Sequence, residues 1–248
     1  MVSAPRAPAG PTVAPLRGEL RYGLEFARLL AAREYLFPPR QRDAPAVLLL
    51  PGFLAGDASL RVLERWLRRR GSRTSSSGIV LNARCAERTL QGVQPRLERL
   101  AERAGGRVVL VGQSRGGALA RVLAVRNPDL VSTVVMLGSP VVGPLDVAPA
   151  VLGAVRAVAL LGDLGVPGAL SRNCRDGGCC EAFRRDLLAP MPERVRAVSF
   201  YSRSDGIVSW RACLDPSAEH VEVDSSHGGM SVHADVYREL ARVLDEAS

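Results

Sequence analysis

The chain contains no lysine, so its formal net charge of +8 at pH 7 comes from arginine alone. Such one-sided usage is more typical of a biased genomic composition than of selection for a ligand. The arginines are scattered along the chain, at 61, 65, 68–70, 96, 99, 103, 184 and 185 among others, and we expect them on solvated helix faces. Aromatic residues make up only 4%. The converging basic surface with stacking aromatics that marks a nucleic-acid-binding protein is missing, so we expect no nucleic-acid partner.

Long hydrophobic runs are also missing. No segment reaches the 18 or so uncharged apolar residues of a transmembrane helix. Residues 1–17 carry four prolines among small residues, which predicts a flexible lead-in without the apolar core of a secretory signal. At 248 residues the chain is long enough for one large domain, which we place at 18–248. We expect it in the cytoplasm, with secretion left open if a leader precedes the sequence.

Histidines are few, and the five cysteines are an odd number. Cys174, Cys179 and Cys180 lie within seven residues, while Cys85 and Cys213 stand far away in sequence. With no second pair at metal spacing and no histidine nearby, the pattern argues against zinc, and we expect no metal. Two alternatives remain. A disulfide could join Cys174 to Cys179 or Cys180, or one of these to Cys213, in an oxidising compartment, or all could be buried free thiols.

Short apolar runs alternate with helical patterns along most of the chain. Strands are predicted at 46–50, 78–81, 107–112, 131–137, 195–201 and 220–223, and helices at 18–37, 59–70, 86–103, 116–126 and 231–244. This alternation predicts an α/β fold with a mostly parallel central sheet and helices on both faces. Residues 141–194 fall outside the alternation, which favours an inserted lid or cap over a site.

One glycine-flanked serine stands where chemistry is expected. The segment Gly112-Gln-Ser-Arg-Gly116 directly follows a buried apolar run and opens an apolar helix, the strand–turn–helix setting of a nucleophile elbow. Side chains at either glycine would collide across so sharp a turn. We predict that Ser114 is a nucleophile at a helix N-terminus, where developing negative charge is favoured.

A serine hydroxyl needs a base, which a third group orients. His227 lies in a small, glycine-rich loop after the last predicted strand, whereas His220 opens that strand and His233 lies in the last helix. His227 is therefore the predicted base. Asp205 ends the preceding strand and is the predicted acid, giving the chain order serine, aspartate, histidine. Asp215 precedes a proline, which favours a turn.

Two backbone N–H groups should meet the oxyanion that forms when the serine attacks a carbonyl. We predict those of Arg115, which follows the nucleophile, and of Phe53 after the first strand, with Leu54 as the nearest competitor. The side chains of Phe53 and Leu54 are predicted to line an acyl pocket.

The chain resembles the α/β-hydrolase superfamily and is similar to bacterial triacylglycerol lipases and esterases. The matching segments are 47–53, 109–118, 199–208 and 225–229, in the family's order. The resemblance implies metal-independent acyl transfer from an apolar ester to water through an acyl-enzyme, with no organic cofactor. Pro51 and Arg115 depart from residues common in these lipases, but both departures leave the backbone N–H groups in place. A thioesterase, acyltransferase or cyclase with the same triad is the alternative, and a non-catalytic binding protein is a third.

Overall fold

The computed structural model describes residues 13–247, together with all their side chains except those of residues 175 and 176. Residues 1–12 of the predicted lead-in lie outside this range. Residues 13–17 lie against the domain, because the Ala14 N–H donates to the Asp205 carbonyl at 2.8 Å and a 3₁₀ helix, Leu16–Arg21, begins there.

Six parallel strands form one sheet in the order β2-β1-β3-β4-β5-β6, which confirms the predicted α/β class. The strands are β1 Val47–Leu50, β2 Thr74–Ser76, β3 Val108–Gln113, β4 Val131–Leu137, β5 Arg196–Tyr201 and β6 Glu219–Glu222. The predicted strand at 78–81 is wrong. Gly78 has a φ of 79° and Val80 is 92% exposed, so these residues form a loop, while the short polar segment before them pairs with β1.

Helices cover both faces of the sheet. They are α1 Tyr22–Ala31, α2 Arg33–Leu36, α3 Arg61–Arg70, α4 Ala86–Ala104, α5 Arg115–Arg126, α6 Pro149–Asp163, α7 Arg172–Asp176, α8 Glu181–Leu188 and α9 Ala234–Glu246. Successive residues of a strand point to opposite faces, so Leu48 and Leu110 pack with α4 and α5, whereas Leu49 and Val109 pack with α1, α3 and α9. None of the helices within residues 13–247 is long and apolar enough to cross a bilayer.

The N-terminal helix differs from the prediction. Instead of one helix over 18–37, the chain forms a 3₁₀ turn, α1 and the short α2. The apolar stripe expected to face inward is largely exposed, with Leu20 at 86% and Leu24 at 53%, whereas Glu25 and Leu29 are buried. The prediction was wrong because this helix packs partly through hydrogen bonds of Glu25, which a hydrophobic periodicity cannot detect.

Two arginines are buried and paired. Arg70, expected on a solvated face, is 1% exposed and pairs with Asp245. Arg121 of α5 forms a two-pronged ion pair with Asp215 at 2.6 and 3.2 Å, and also donates to the carbonyl of Ala189 just after α8. Asp215 makes the predicted turn as well, since its carbonyl accepts the Ala218 N–H at 3.0 Å.

The residues between β4 and β5 carry α6, α7 and α8, and we refer to 138–195 as the cap. Its first part is fixed to the loop after β5, because Val147 bridges Val208 and the Ala148 N–H donates to the Ile207 carbonyl at 2.7 Å. Its last helix, α8, packs on α5 through Leu187. The cap is thereby held over the carboxyl edge of the sheet.

Candidate active site

Ser114 lies between the end of β3 and the start of α5 with a φ of 54° and a ψ of −126°. A left-handed φ on a non-glycine residue costs about 1–3 kcal/mol and persists only where the surroundings enforce it. Here the Ser114 N–H donates to the Leu137 carbonyl at 2.8 Å. The backbone around the turn leaves no room for a side chain at its glycines, since a Cβ on Gly112 would lie 2.3 Å from the Gly116 carbonyl oxygen. The turn therefore presents the Ser114 hydroxyl above the carboxyl edge of the sheet.

Asp205 and His227 form a buried pair. One carboxylate oxygen of Asp205, Oδ2, lies 2.7 Å from Nδ1 of His227. The other, Oδ1, accepts the N–H groups of Ile207 and Val208, both at 2.8 Å. The carboxylate is thus fixed on both sides. With Nδ1 donating its proton to Asp205, Nε2 of His227 carries the lone pair that a general base needs.

The loop of His227 is attached to the residue before the serine. The side-chain amide of Gln113 donates to the His227 carbonyl at 3.2 Å. Gly138, directly after β4, lies against the imidazole, because a Cβ there would be 3.2 Å from Nδ1. The turns after β3 and β4 and the loop after β6 therefore meet at one edge of the sheet, as expected for a parallel sheet.

Sequence reasoning missed Glu19, which lies in the first 3₁₀ helix. Its Oε1 accepts the N–H groups of Gly206 and His227 at 2.9 and 3.0 Å, and its Oε2 accepts that of Gly228 at 3.2 Å. One carboxylate thus connects the loop that carries Asp205 to the loop that carries His227. No local motif could reveal this, because about 190 to 210 residues separate the partners.

Glu25 of α1 supports the same loop from the other side. It accepts the backbone N–H of Ser226 at 2.8 Å and also the Ser226 hydroxyl. Gly229 permits this close approach, because a Cβ on that residue would lie 1.8 Å from the carboxylate and would displace it. These hydrogen bonds explain why Glu19 and Glu25, two acidic side chains of the N-terminal segment, point into the protein.

The protonation of His227 depends on these neighbours. Burial acts to lower its pKa, but the charges of Asp205 and Glu19 and the hydrogen bond to Asp205 outweigh burial, so the pKa lies above the ordinary value of 6.5. His227 consequently loses its proton at a higher pH than an exposed histidine does.

The loop after β1 reaches the serine closely. A Cβ on Gly52 would lie 3.3 Å from Cβ of Ser114, so glycine permits the approach. Of the two N–H groups considered there, that of Leu54 donates to the Asn82 carbonyl at 3.1 Å and is already committed. This favours the N–H of Phe53 over that of Leu54 as a hydrogen-bond donor to an oxyanion. The N–H of Arg115 begins α5, where no intrahelical acceptor is available.

Asn82 and the Arg115 side chain fix this loop, and neither contact was predicted. The Asn82 side-chain amide donates to the Pro51 carbonyl at 2.8 Å, and its Oδ1 accepts from the Arg115 guanidinium at 2.9 Å. The arginine thereby connects the loop after β1 to the start of α5, the two segments that would supply the hydrogen-bond donors to the oxyanion.

A cavity of about 550 Å³ borders Ser114. Phe53 and Ala118 line it from the core, and the cap contributes mainly apolar side chains, namely Val151 and Val155 of α6 and Phe183 and Leu187 of α8. Leu54, also predicted to line a pocket, has a φ of 57° and turns away with 43% of its surface exposed. The volume fits a small molecule with an acyl chain.

All five cysteines are free thiols. The sulfurs of Cys174 and Cys179 lie 3.2 Å apart, and Cys85, which sequence reasoning left out, joins them and Cys180 in one group. Cys213 lies elsewhere, packed with Val208 and Ala212 and donating to the Ser209 carbonyl, so it does not join the group. Cys174 and Cys180 also line the cavity.

Comparison with known proteins gives matches to solved structures only. No family model matches the sequence, and no curated protein does. The mature lipase of Bacillus licheniformis superposes with a TM-score of 0.62 at 15% identity, over 84% of this chain and 94% of that chain. A soluble variant of Saccharomyces cerevisiae monoglyceride lipase gives 0.59 at 13%, over 85% and 90%. The thioesterase domain from the curacin biosynthetic pathway gives 0.54 at 13%, over 84% and 93%.

Identities this low establish architecture and not activity. In this chain that architecture is a six-stranded parallel sheet with helices packed on both of its faces. On these grounds the chain has the α/β-hydrolase fold, the fold of the lipases that it superposes on.

Proposed function

We propose that this chain is a serine hydrolase that cleaves apolar acyl esters through an acyl-enzyme on Ser114. The observation that carries the proposal is the strained, non-glycine turn at Ser114, which borders an apolar cavity beside the buried Asp205–His227 pair. Strain of this kind is retained where a side chain must be held in one pose. A purely structural serine gains nothing from it.

In the first step, Nε2 of His227 takes the proton of the Ser114 hydroxyl as Oγ bonds to the carbonyl carbon of the ester. The electron pair of the carbonyl moves to its oxygen, and the N–H groups of Phe53 and Arg115 stabilise the resulting oxyanion. Asp205 holds the imidazole in the required tautomer and stabilises the imidazolium that forms.

In the second step, the tetrahedral intermediate collapses and the C–O bond to the alcohol breaks. His227 gives its proton to the leaving alkoxide oxygen, which departs as an alcohol and leaves the acyl group on Ser114. A water molecule then enters, loses a proton to His227 and attacks the ester carbon. Collapse of this second intermediate returns the proton to Ser114 and frees the carboxylic acid.

The substrate class follows from the cavity. Its core and cap walls are mainly apolar, so the acyl chain of the substrate gains free energy by leaving water, about 0.8 kcal/mol per buried methylene. Two of the superposed structures are a lipase and a monoglyceride lipase, which supports an aliphatic acyl ester.

A thioesterase, acyltransferase or cyclase is the second candidate, because the curacin thioesterase domain shares the fold. The same acyl-enzyme serves these reactions, and they differ in the leaving group or in what attacks second. A thioester series run beside the ester series separates a thioesterase from an esterase. Product analysis with added alcohols or amines detects acyl transfer.

The test is hydrolysis of p-nitrophenyl esters of increasing chain length by the wild type and four variants. Ser114→Ala and His227→Ala are expected to lose kcat by on the order of 10³-fold or more. Ser59→Ala, a surface serine, and His233→Asn, which keeps an N-cap residue on α9, are the matched controls and should retain activity. Equal activity of Ser114→Ala and the wild type would overturn the proposal, and inactivity of all five proteins on esters and thioesters would favour a binding protein.

A further inference from the structure

Four cysteine sulfurs converge at one point between the core and the cap. Cys85 precedes α4 as its N-cap, Cys174 belongs to α7, and Cys179 and Cys180 belong to the 3₁₀ helix Gly178–Cys180 before α8. The sulfur of Cys85 lies 3.4 Å from those of both Cys179 and Cys180. All four sulfurs lie within 4.8 Å of one another.

The spacing of the sulfurs is that of a tetrahedral thiolate site. With Zn–S bonds of about 2.3 Å, the sulfurs of a regular tetrahedron lie about 3.8 Å apart. The sulfur–sulfur distances in this group run from 3.2 Å to at most 4.8 Å, a range that includes the separation expected for a tetrahedron. Two disulfides would bring the two sulfurs of each pair to about 2.05 Å from each other. Such pairing does not require all four sulfurs to surround one centre.

The surroundings suit a cluster with negative charge. Cys85 is the N-cap residue of α4 and its sulfur lies 3.4 Å from that of Cys180, so the cluster lies at the end of α4 where the helix dipole is positive. Cys174 lies 3.5 Å from the hydroxyl of Ser171. The Arg115 guanidinium interacts electrostatically with the cluster, while its own hydrogen bonds go to uncharged oxygens of Asn82 and a neighbouring carbonyl.

We propose that Cys85, Cys174, Cys179 and Cys180 bind one Zn²⁺ in a closed, tetrahedral Cys₄ site. Four thiolates and one dication carry a net charge of −2, which the nearby arginine partly offsets. On binding, each thiol loses its proton to solvent as its sulfur bonds to the metal, with no change in oxidation state. All four positions around the metal are taken by sulfur, so its role is structural.

This assignment revises the sequence-based expectation of no metal. That expectation required a second pair of cysteines nearby in sequence, whereas the fold brings Cys85 to the other three from 89 residues before Cys174. The site joins α4 of the core to α7 and to the start of α8, and two of its ligands line the cavity. Zinc would therefore fasten the cap wall that shapes the substrate cavity.

The first experiment measures metal and thiols in the full-length chain purified with reductant from zinc-supplemented medium. We expect one zinc per chain and, after cobalt substitution, the thiolate-to-cobalt charge-transfer absorption of a tetrahedral site. A mercurial reagent that titrates the thiols should release the zinc as the four ligands react.

Variants assign the ligands. Cys179→Ser changes the most exposed of the four cysteines and should reduce zinc to well below half a metal per chain, and Cys85→Ser should do the same. Cys213→Ser is the matched control, a buried cysteine outside the group, and should keep one zinc. A chelator should lower the melting temperature of the wild type and of Cys213→Ser but leave that of Cys179→Ser unchanged.

Two results would overturn the proposal. One is a folded chain with five titratable thiols that takes up no zinc or cobalt. The other is a mass four daltons below that of the reduced chain, which means two disulfides among the same cysteines. None of these measurements depends on hydrolytic activity, so they stand apart from the assignment of Ser114.

Discussion

Replacing Glu19 with glutamine tests how the N-terminal segment influences the active site. The carboxylate of Glu19 accepts the His227 backbone N–H at 3.0 Å, and its charge helps to raise the pKa of His227. His227 must be neutral to act as a base, so activity is lost as pH falls through its pKa. Removing the negative charge favours the neutral imidazole, lowers the pKa of His227 and moves the acid limb of the pH profile to lower pH.

Coulomb's law bounds this shift. Two unit charges about 4 Å apart interact by about 1 kcal/mol in water and by about 4 kcal/mol at an effective dielectric constant of about 20, and one pKa unit corresponds to about 1.36 kcal/mol. Glu19 bonds to backbone N–H groups rather than to the imidazole and is half-buried, so its contribution lies toward the solvent-screened end of this range, and the pKa of His227 moves downward.

The assay is kcat/KM for a short p-nitrophenyl ester between pH 5 and pH 9, because this ratio reports the pKa of the free enzyme. Glu98→Gln, which removes an exposed glutamate of α4, is the control and should keep the wild-type profile. Glutamine also turns an amide NH₂ toward the N–H of Gly228, so some loss of stability is expected as well. An acid limb that stays in place or moves to higher pH would refute the electrostatic role of Glu19.

Three further changes probe the acid, the core and the cavity. Asp205→Asn should lower kcat by on the order of 10⁴-fold with little change in KM, measured with the same esters, because the amide favours the wrong tautomer of His227; near-normal turnover would reassign the acid. Arg121→Met should lower the free energy of unfolding in urea by about 3–5 kcal/mol by leaving Asp215 buried without its partner, and a loss below about 1 kcal/mol would show that this pair is dispensable. Val155→Phe should shift the preferred ester to shorter acyl chains by filling the cavity, and an unchanged chain-length profile would place the acyl group elsewhere.

The central strands could be predicted because local residues decide them. The run at 131–137 is predicted and observed with the same bounds, since a strand covered on both faces must be apolar throughout. The edge strand Thr74–Ser76 has no such signature, because its half-buried Ser and Thr residues resemble a loop. The prediction placed this strand in the apolar residues that follow, of which Val80 and Leu81 are exposed.

The candidate site likewise contains residues that the local sequence predicts and residues that it does not. The sharp turn at Ser114 could be anticipated because its glycines and its apolar strand are contiguous in sequence. Glu19, Asn82 and Cys85 could not, since each acts through partners that only the folded chain brings near. Glu19 is also hard to recognise from sequence, because an acidic residue on an N-terminal helix resembles an ordinary solvated side chain.

The most direct measurement of the central claim locates the covalent bond itself. Trypsin cuts after Arg107 and Arg115 and releases the peptide VVLVGQSR, in which Ser114 is the single serine. After the folded protein reacts with a fluorophosphonate, mass spectrometry should find the phosphonyl group on this peptide. The label should be absent from Ser114→Ala, and His227→Ala should acquire it far more slowly. A label on another peptide, or a folded wild type that does not react, would contradict the assignment of Ser114 as the nucleophile.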